Sequence, residues 1–437
     1  MDNFIYTRKL EIRYDVDVFI AGGGPAGCAA AIAASRQGAD VYLAEAQYCL
    51  GGQGTSGMVP AFMQFGDGEN FLAAGLGKEI LDRMHQLGGT VYKESNTNSI
   101  KLEALKRAYE EMMIQSGASF TLGVQLTDVI TEGNLIKYCV LTGKSGLFAV
   151  RAKIYIDCTG DADLCFMAGV PCDKGDDNGN MMAGTLCSLW TGIDWTKKTG
   201  ADRRNLEQAI KDGVFENPDL HLPGMWKISE NIGGGNIGHT FGVDGTDERS
   251  LTSALVYGRR LYDQYEKYYK EYLSGYEKME LVATGAMLGI RETRRIRGQY
   301  RLVLQDFITQ AVFDDEIGRY CYPVDIHASN NTIESFNVFM KDHTGYRYKK
   351  GESYGVPYRI LVPQVVENLL TAGRCVSTDR AMQSSIRVMP GCYITGQAAG
   401  VSAALCAKQG TKPKDINVNR IQSVLKSMGM YLPNFNQ

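Results

Sequence analysis

Two ionisable side chains near residue 325 are spaced for proton transfer. The segment YPVDIH, residues 322–327, alternates like a strand, and a period of two places Asp325 and His327 on the same face. The carboxylate would then fix the tautomer of the imidazole or raise its pKa. We therefore predict that His327 takes a proton from a substrate hydroxyl or supplies one, and a hydrogen-bonded structural histidine is the alternative.

Four arginines are candidates for binding an anionic substrate. The segment RETRRIRG places Arg291, Arg294 and Arg295 within about one helical turn of each other, and Arg387 precedes a later apolar helix. Because guanidinium groups bind carboxylates through paired hydrogen bonds, we predict a carboxylate clamp. Pairing with Glu292 and other acids at a domain junction is the alternative. The segment SYGVPYRI adds three candidate residues of the same cleft, Tyr354, Tyr358 and Arg359.

A glycine-rich turn near the start of the chain has the pattern of a dinucleotide site. Gly22, Gly24 and Gly27 follow an apolar strand and open an alanine-rich helix. Gly22 permits the tight turn, Gly24 lets the backbone approach a pyrophosphate, and Gly27 allows close helix packing. The N-terminus of a helix binds anions such as phosphate. Glu45, at the end of the next strand, can accept hydrogen bonds from ribose hydroxyl groups. The sequence therefore predicts a bound dinucleotide.

The next glycine-rich segment indicates which dinucleotide is expected. LGGQGTSG, residues 50–57, supplies glycine amides and the polar side chains of Gln53, Thr55 and Ser56 directly after the acidic strand end. A domain that binds NAD would normally continue straight into a helix at this point. The segment therefore favours FAD.

A second match to the glycine pattern lies at residues 233–238. It lacks the apolar strand before it and the apolar helix after it that a dinucleotide site requires. We predict a flexible loop that carries His239 toward the active site. No built-in NAD(P)H site is expected.

The elements that must position these residues alternate between strands and helices. Residues 16–45 have the pattern of a βαβ unit, residues 102–116 that of a helix, and the next segments that of a β-meander ending at residues 152–157. A helix over residues 251–276 is dense in tyrosine along one broad face. This pattern predicts a tyrosine-rich core or domain interface rather than an aromatic substrate platform.

Composition restricts the class of protein. The chain has 437 residues, a net charge of −3 and no apolar run long enough to cross a membrane, so neither a nucleic acid nor a membrane is an expected partner. The first sixteen residues contain no signal-like apolar segment, which predicts a cytoplasmic protein. Eleven scattered cysteines without C-x-x-C spacing predict reduced core thiols and no metal or iron–sulfur site.

Several segments taken together resemble one known family. They are the opening glycine turn, the GGQGTSG segment, AKIYIDCTGDADL, LGIRETRRIRGQY, YPVDIH and NLLTAGRCVSTDRAMQSSIRVMPGCYITGQAAG. They are similar to FAD-dependent oxidoreductases with the glutathione-reductase-type FAD fold, which are distantly related to fumarate reductase flavoproteins. The resemblance spans nearly the whole chain. Non-covalent FAD is expected, because residues 51–57 offer no histidine for a covalent link.

The resemblance also implies further contacts with FAD. Residues 157–161 match the strand and turn that pass beside the FAD, and Leu126 falls where a backbone group meets the adenine. Many relatives carry Gly-Asp where this chain has Gly373 and Arg374, which alters the expected ribityl contact. A helix over residues 390–408 would direct its positive end toward the flavin. The predicted FAD-binding set is Gly22, Gly24, Pro25, Ala26, Gly27, Glu45, Ala46, Gly52, Gln53, Thr55, Ser56, Gly57, Leu126, Thr159, Gly160, Asp161, Gly373, Arg374, Arg387 and Gly396.

The expected fold is α/β, a Rossmann-like FAD-binding domain with a β-meander plus an inserted α+β cap domain. Residues 1–162 and 361–437 would form the FAD-binding domain, and residues 163–360 the cap that binds the substrate.

The expected function is hydride transfer between flavin N5 and a small organic substrate, by oxidising a C–H beside a hydroxyl or reducing an activated C=C bond. The alternatives are an NAD(P)H-dependent flavin hydroxylase and an FAD-containing electron-transfer subunit. The electron donor or acceptor and a homo-oligomeric state are left open. The predicted catalytic residues are His327, Arg294, Tyr354 and Arg291.

Overall fold

The chain alternates helices with mostly short strands, as described for residues 4–90 and 97–435 of a computed structural model. Its helices are α1 (Pro25–Arg36), α2 (Leu76–Gln86), α3 (Leu102–Ser116), α4 (Asp163–Met167), α5 (Arg203–Lys211), α6 (Glu248–Tyr272), α7 (Leu304–Ile308), α8 (Ile333–Gly345), α9 (Arg380–Ile386), α10 (Met389–Gln409) and α11 (Val418–Ser427). Short 3₁₀ helices cover Gly52–Gly54 and Tyr358–Leu361.

The strands range from two to twelve residues. They are β1 (Ile12–Ala21), β2 (Val41–Glu45), β3 (Ala61–Phe62), β4 (Asn98–Ser99), β5 (Ser119–Leu122), β6 (Gln125–Glu132), β7 (Leu135–Gly143), β8 (Gly146–Asp157), β9 (Cys172–Lys174), β10 (Ser188–Thr191), β11 (Gly224–Lys227), β12 (Ile232–Asn236), β13 (Glu280–Thr284), β14 (Arg294–Ile296), β15 (Glu316–Tyr320), β16 (Tyr354–Pro357) and β17 (Leu369–Thr371).

Seven strands form the main sheet, in the order β5, β2, β1, β8, β7, β6, with β17 beside β8. β1 pairs in parallel with β2 and β8, whereas β6, β7 and β8 form an antiparallel meander. Val18 and Ile20 pack into the main core, while Phe19 and Ala21 face a second core on the other side of the sheet. β1 ends as a continuous apolar run because both of its faces are buried. The predicted βαβ unit, β-meander and α/β fold are confirmed.

The long helix α10 lies directly on α1. A Cβ atom added to Gly396 would lie 2.3 Å from the carbonyl oxygen of Ala26, and one added to Gly400 would lie 2.2 Å from that of Ala30. Side chains larger than hydrogen would separate the two helices, so small residues set their spacing. α10 begins at Met389 with Pro390 in its first turn, as the sequence predicts.

A third core belongs to a separate antiparallel sheet and two helices. The sheet has the order β11, β12, β10, β13, and α5 and α6 supply most of the helical apolar side chains. The tyrosines of α6 are mostly core residues, as predicted: Tyr262, Tyr265, Tyr268 and Tyr269 are all buried beside Trp190. The side chains of this core come from residues 186–290.

The second glycine pattern is a strand and not the predicted flexible loop. β12 contains Gly233 and Gly235 and pairs with both β10 and β11. A Cβ atom on Gly233 would lie 2.5 Å from the side chain of Ile193, and one on Gly234 would lie 2.4 Å from Pro60. Glycine is therefore required by close neighbours on this strand. An apolar-pattern search misses such a strand because three of its five residues are glycines.

The later part of the predicted insertion packs with the main core. Leu302, Tyr320, Tyr354 and Ile360 are all buried in the cluster that contains α1 and α10. The predicted boundaries at residues 163 and 360 stay predictions, and the packing favours a smaller cap, formed by residues 186–290.

The cysteines are free, and nine of the eleven are buried. Within residues 4–90 and 97–435, no group of three or more His, Cys, Asp or Glu side chains is arranged to hold a metal ion. None of the helices in this part of the chain is both long enough and apolar enough to cross a membrane.

We expect Gly400→Val to destabilise the protein by about 1–3 kcal/mol or more, because the new side chain would overlap α1. The measurement is thermal unfolding of the protein without cofactor. Gly200→Val is the matched control, since Gly200 is exposed and an added Cβ atom would have no neighbour within 4 Å. Equal melting temperatures for the two variants would contradict this account of the packing between α1 and α10.

Candidate active site

A cavity of about 810 Å³ lies between the main sheet and the cap. The ends of four parallel strands contribute to it, through Gly22 after β1, Glu45 in β2, Thr159 after β8 and Gly373 after β17. In parallel α/β sheets, ligands bind at this carboxyl edge of the strands. The cap covers the cavity with Cys187, Asn236 and Met287, and Thr185 and Arg291, which directly flank the cap in the sequence, line the cavity as well.

The first glycine turn leaves space and free amides at the start of α1. Gly22 has a φ of +95°, and a Cβ atom there would lie 2.5 Å from the carbonyl oxygen of Cys158. Gly24, which lines the cavity, is the N-cap of α1, and no side chain caps this helix end. A Cβ atom on Gly24 would meet no protein atom within 4 Å. The turn therefore fits a phosphate group of a dinucleotide.

Glu45 is held in place by backbone amides. The amide of Gly23 donates to Oε2 at 2.5 Å, and the amide of Gln47 donates to Oε1 at 2.7 Å. Burial raises the pKa of the Glu45 carboxyl. Each carboxylate oxygen can accept more than one hydrogen bond, so the group can still accept from ribose hydroxyls.

The chain's departure from the usual Gly-Asp ending is explained by an ion pair. Arg374 lines the cavity, and its Nη1 lies 2.9 Å from Oδ1 of Asp161. The same oxygen accepts a hydrogen bond from Thr293 at 2.6 Å. The acid at this position is therefore Asp161, from the turn after β8, and Arg374, from the turn after β17, neutralises its charge.

The helix α10 also begins at the cavity. Val388, its N-cap, and Met389 both line the cavity, and no side chain caps this end. Its first amides are therefore available to a group in the cavity. Arg387, one residue earlier, lines the cavity as well.

Most predicted FAD-binding residues line this one cavity. These are Gly22, Gly24, Pro25, Ala26, Glu45, Ala46, Gly52, Gln53, Leu126, Thr159, Gly160, Asp161, Gly373, Arg374 and Arg387. They come from segments far apart in the sequence, and the fold brings them together.

Five predicted FAD-binding residues lie outside the lining of the cavity. Gly27 and Gly396 serve close packing, since added Cβ atoms would lie 1.9 Å from Gly22 O and 2.3 Å from Ala26 O. The Thr55 hydroxyl donates to Leu50 O at 2.6 Å, the Ser56 hydroxyl lies 3.1 Å from Cys49 Sγ, and Gly57 packs on Gln53. The assignment of Gly27, Thr55, Ser56, Gly57 and Gly396 as cofactor contacts stays a prediction, and none of the five lines the cavity. Their hydroxyls and small size close the local turn or the helix contact.

Asp325 and His327 both line the cavity, but their segment is irregular and not the predicted strand. The amide of Asp325 donates to the Ser384 hydroxyl at 2.9 Å, where a strand would pair with a neighbouring strand. His327 Nε2 lies 3.4 Å from Asp325 Oδ1, so the two groups still meet. Burial, followed by repulsion from Arg291, lowers the pKa of His327 well below its ordinary value. The predicted rise of that pKa is wrong, and His327 is a neutral imidazole near neutral pH.

His327 also contacts a second histidine from the cap. His239 Nε2 lies 3.0 Å from His327 Nδ1, and both rings are buried. The sequence predicts that His239 points toward the site, and its ring reaches His327 without lining the cavity. Asp219, which lies 2.9 Å from His239 Nδ1, has no recognisable motif in the sequence.

The predicted arginine cluster separates, because β14 turns successive side chains to opposite faces. Arg295 pairs with Glu292 at 2.5 Å and lies outside the cavity lining. The four arginines that line the cavity are Arg291, Arg294, Arg374 and Arg387. Three of them pair with an acid, namely Arg294 with Asp163, Arg374 with Asp161 and Arg387 with Asp325.

Arg291 differs from the other three arginines. Its guanidinium donates to Ala183 O at 2.8 Å and to the Thr185 hydroxyl at 2.9 Å, both neutral acceptors. In the described part of the chain, no carboxylate lies within 4.0 Å of it. The residue is only 8% exposed, and burial followed by repulsion from Arg387 lowers the pKa of Arg291 to about 10.

The three candidates from SYGVPYRI do not line the cavity. The Tyr354 hydroxyl is buried against the Ser385 hydroxyl at 2.9 Å, and the Tyr358 hydroxyl lies 2.6 Å from that of Ser402. Arg359 pairs with Asp315 at 2.9 Å. The catalytic role of Tyr354 stays a prediction, and its buried hydroxyl lies away from the lining of the cavity. Tyr322, which sequence reasoning missed, does line the cavity, and its hydroxyl donates to Asp325 at 3.3 Å.

We expect Gly24→Val to abolish dinucleotide binding while leaving the fold intact. A Cβ atom at this position would meet no protein atom within 4 Å, and the valine side chain would occupy space at the start of α1 that the phosphates need. Flavin content after purification and the melting temperature of the protein without cofactor are the two measurements. Gly200→Val serves again as the control. A variant that keeps its flavin would refute the assignment of the phosphate site.

Comparison with known proteins finds similarity in sequence and in fold. The chain is 29% identical over 246 residues to thiamine thiazole synthase of Desulfosudis oleivorans, which covers 54% of this chain and 87% of that protein. Its fold is similar to that of p-nitrophenol 4-monooxygenase PnpA from Pseudomonas putida, with a TM-score of 0.51, 9% identity, and coverage of 96% of this chain and 91% of that one. A geranylgeranyl bacteriochlorophyll reductase-like protein from Thermoplasma acidophilum has a TM-score of 0.43 and 12% identity, covering 95% of this chain and 82% of that one.

The family assignment rests on a match along most of the sequence. A profile described as FAD dependent oxidoreductase matches residues 17–425. This confirms the resemblance noted from the motifs, and it confirms FAD as the cofactor. The chain therefore belongs to the FAD dependent oxidoreductase family and is an oxidoreductase that uses FAD.

Proposed function

We propose that this enzyme transfers a hydride between FAD and a small organic substrate that carries a carboxylate. The observation that carries the proposal is Arg291, a buried arginine at the cavity with no acid beside it in the described structure. Its position next to His327 supports placing the substrate between the cap and the cofactor site.

The charge of Arg291 favours an anionic ligand. Removing a guanidinium from water costs several kcal/mol, and buried cations are therefore nearly always paired. Thr185, Asn236 and the carbonyl of Ala183 offer only neutral oxygen atoms. A carboxylate in the cavity would supply the missing charge and accept paired hydrogen bonds from the guanidinium.

Three groups of residues fit the pyrophosphate, the ribose and the flavin ring system of FAD. The glycine turn and the start of α1 would hold the pyrophosphate, Glu45 the ribose, and the first amides of α10 the flavin ring system. Bound FAD supplies the two-electron chemistry by accepting or donating a hydride. The ion pair of Arg374 with Asp161 adds no net charge at this end of the site.

His327 is assigned the proton transfer. It lines the cavity as Arg291 does, and its lowered pKa keeps it neutral near pH 7 and able to accept a proton. When a C–H beside a hydroxyl is oxidised, the hydroxyl proton would pass to His327. When an activated C=C bond is reduced, the protonated ring would return a proton to carbon.

We expect His327→Asn to keep FAD and slow flavin reduction by about 10²–10⁴-fold, the usual contribution of a positioned acid–base group. The measurement is anaerobic stopped-flow absorbance, normalised to bound FAD, with a panel of 2-hydroxy acids and, for the reduced enzyme, 2-enoates. His85→Asn, at an exposed histidine, is the control. Near-normal normalised rates in the His327 variant would remove it from the mechanism.

We expect Arg291→Met to weaken the use of carboxylates selectively. The ratio of kcat/KM for an acid to that for its methyl ester should fall by about 10²-fold or more, since losing a buried charge contact costs about 2–5 kcal/mol. Arg260→Met, at an exposed residue of α6, is the matched control. An unchanged ratio in Arg291→Met would show that the carboxylate binds elsewhere.

A further inference from the structure

Resting on the proposed role of His327, we propose that Asp219, His239 and His327 form a proton relay. The relay would connect the main cavity with a second, much smaller cavity on the far side of His239. His239 and Asp219 are then positioning and proton-carrying residues that do not themselves touch the substrate. One continuous row of buried polar atoms supports this relay.

The row runs from the cap into the main cavity. Asp219 Oδ2 lies 2.9 Å from His239 Nδ1, and His239 Nε2 lies 3.0 Å from His327 Nδ1. His327 Nε2 then lies 3.4 Å from Asp325 Oδ1, beside the main cavity. His239 is 6% exposed and His327 is 7% exposed. The two rings are hydrogen-bonded to each other, and the second nitrogen of each ring lies near a carboxylate. The contact of His239 Nδ1 with Asp219 is an ion-pair distance without hydrogen-bond geometry in the described structure.

The two carboxylates at the ends of the row, Asp219 and Asp325, differ in their other partners. This difference determines which ring nitrogens carry protons, and so the direction in which the N–H groups donate. Asp325 is paired with Arg387 at 3.1 Å and accepts from the Tyr322 hydroxyl at 3.3 Å. Among the described residues, Asp219 contacts the ring of His239 and accepts a hydrogen bond from the backbone amide of His221 at 3.0 Å. Asp219 therefore has the greater need for a ring N–H, which places a proton on His239 Nδ1.

A proton on His239 Nδ1 determines the tautomers of both histidine rings. With Nδ1 protonated, neutral His239 has a bare Nε2, which can only accept. His327 must then donate from Nδ1, which leaves its own Nε2 bare at the main cavity, 3.4 Å from Oδ1 of Asp325, whose Oδ2 is held by Arg387 and Tyr322. A base is thus presented at the cavity while Asp219 stays ionised. Burial alone would raise the pKa of Asp219, but attraction to His239 and the amide of His221 lowers it overall.

The transfer balances at each atom. His327 Nε2 accepts the substrate proton as its Nδ1 proton passes to His239 Nε2. The Nδ1 proton of His239 then passes to Asp219 Oδ2. Each ring ends with one proton and no net charge, and the carboxyl releases its proton to water. The same steps in reverse deliver a proton from water to the substrate.

The second cavity gives the proton a route to the surface. Its volume is about 10 Å³, close to that needed for one water molecule. Asp219 and His239 line it together with the exposed residues Asn330 and Asn331. The polar amides on its outer side suit a water molecule that exchanges with solvent.

The neighbouring ionisable groups do not provide a competing route. The His221 ring packs on both relay histidines, with centroids 4.8 Å and 5.3 Å away, and burial followed by repulsion from His239 lowers the pKa of His221 to about 3. His221 therefore stays neutral. Arg291 acts on His327 from the cavity side, and Arg387 and Tyr322 both contact Asp325.

The tautomers of the two rings test the relay without any substrate. We would record ¹⁵N–¹H spectra of the oxidised holoenzyme labelled at histidine, because protonated and bare ring nitrogens have well separated ¹⁵N shifts. His239→Asn, His327→Asn and His85→Asn provide the assignments. We expect both relay histidines to carry the proton on Nδ1. A proton on Nε2 of His239 in the wild type would overturn the relay.

Asp219→Asn tests whether the two rings act as one unit. The amide can donate to His239 Nδ1, so His239 should change to the Nε2–H tautomer and His327 should change with it. A change confined to His239 would overturn the relay. His239→Asn provides a second route to the same answer if the Asp219 variant does not fold.

Kinetics then separate failure of the relay from failure of the proposed function. We expect His239→Asn to keep FAD, to slow normalised flavin reduction by about tenfold or more, and to recover with added imidazole buffer. His85→Asn should show neither effect. If His327→Asn is slow but His239→Asn is normal and insensitive to imidazole, the relay is wrong and the role of His327 stands. If His327→Asn is itself normal, the proposed function fails first.

Discussion

The contact between α1 and α10 is the constraint on which the site depends. The carbonyl groups of Ala26 and Ala30 lie so close to Gly396 and Gly400 that no side chain fits between the helices. With this spacing, both helices begin at the same cavity, one through Gly24 and the other beside Val388 and Met389. Two uncapped helix ends thus bring their amides to one volume. The positive ends of both dipoles favour a cofactor that carries phosphates and gains negative charge on reduction.

The balance of charge in the cavity divides it into two regions. Near the cofactor residues, Arg374 and Asp161 neutralise each other and Glu45 is held by amides. Near the cap, Arg291 meets only neutral oxygen atoms, and His327 stays neutral because burial and Arg291 both disfavour its charged form. The proposed carboxylate substrate and its proton transfer depend on this pairing of a neutral imidazole with a buried arginine.

The sequence predicts the local parts of this site well and the long-range parts poorly. Gly22 and Gly24 were predictable because their roles depend on a strand, a turn and a helix that follow one another directly. The partners of Arg291 were not, because they come from β12 and from residues more than a hundred positions earlier in the chain.

The segment around His327 shows the same division. The alternating pattern of residues 322–327 predicts a strand, yet the backbone amide of Asp325 donates a hydrogen bond to the side chain of Ser384 in α9. Asp219 and His239 meet His327 only because the cap folds over the main sheet, and no spacing in the sequence encodes that contact. Strand β12 escaped prediction for a related reason, since its glycines are selected by the bulk of Ile193 and Pro60 and not by a pattern of their own.

The position of the indole rings has a consequence for spectroscopy. The three tryptophans of the chain are Trp190, Trp195 and Trp226, and all of them belong to the cap, with Trp190 fully buried in its core. The cofactor's isoalloxazine ring, by contrast, is assigned to the other unit. Intrinsic tryptophan emission therefore reports on the cap alone, while flavin emission reports on the dinucleotide-binding unit. Energy transfer from indole to flavin would measure how closely the cap covers the cofactor, with no added label.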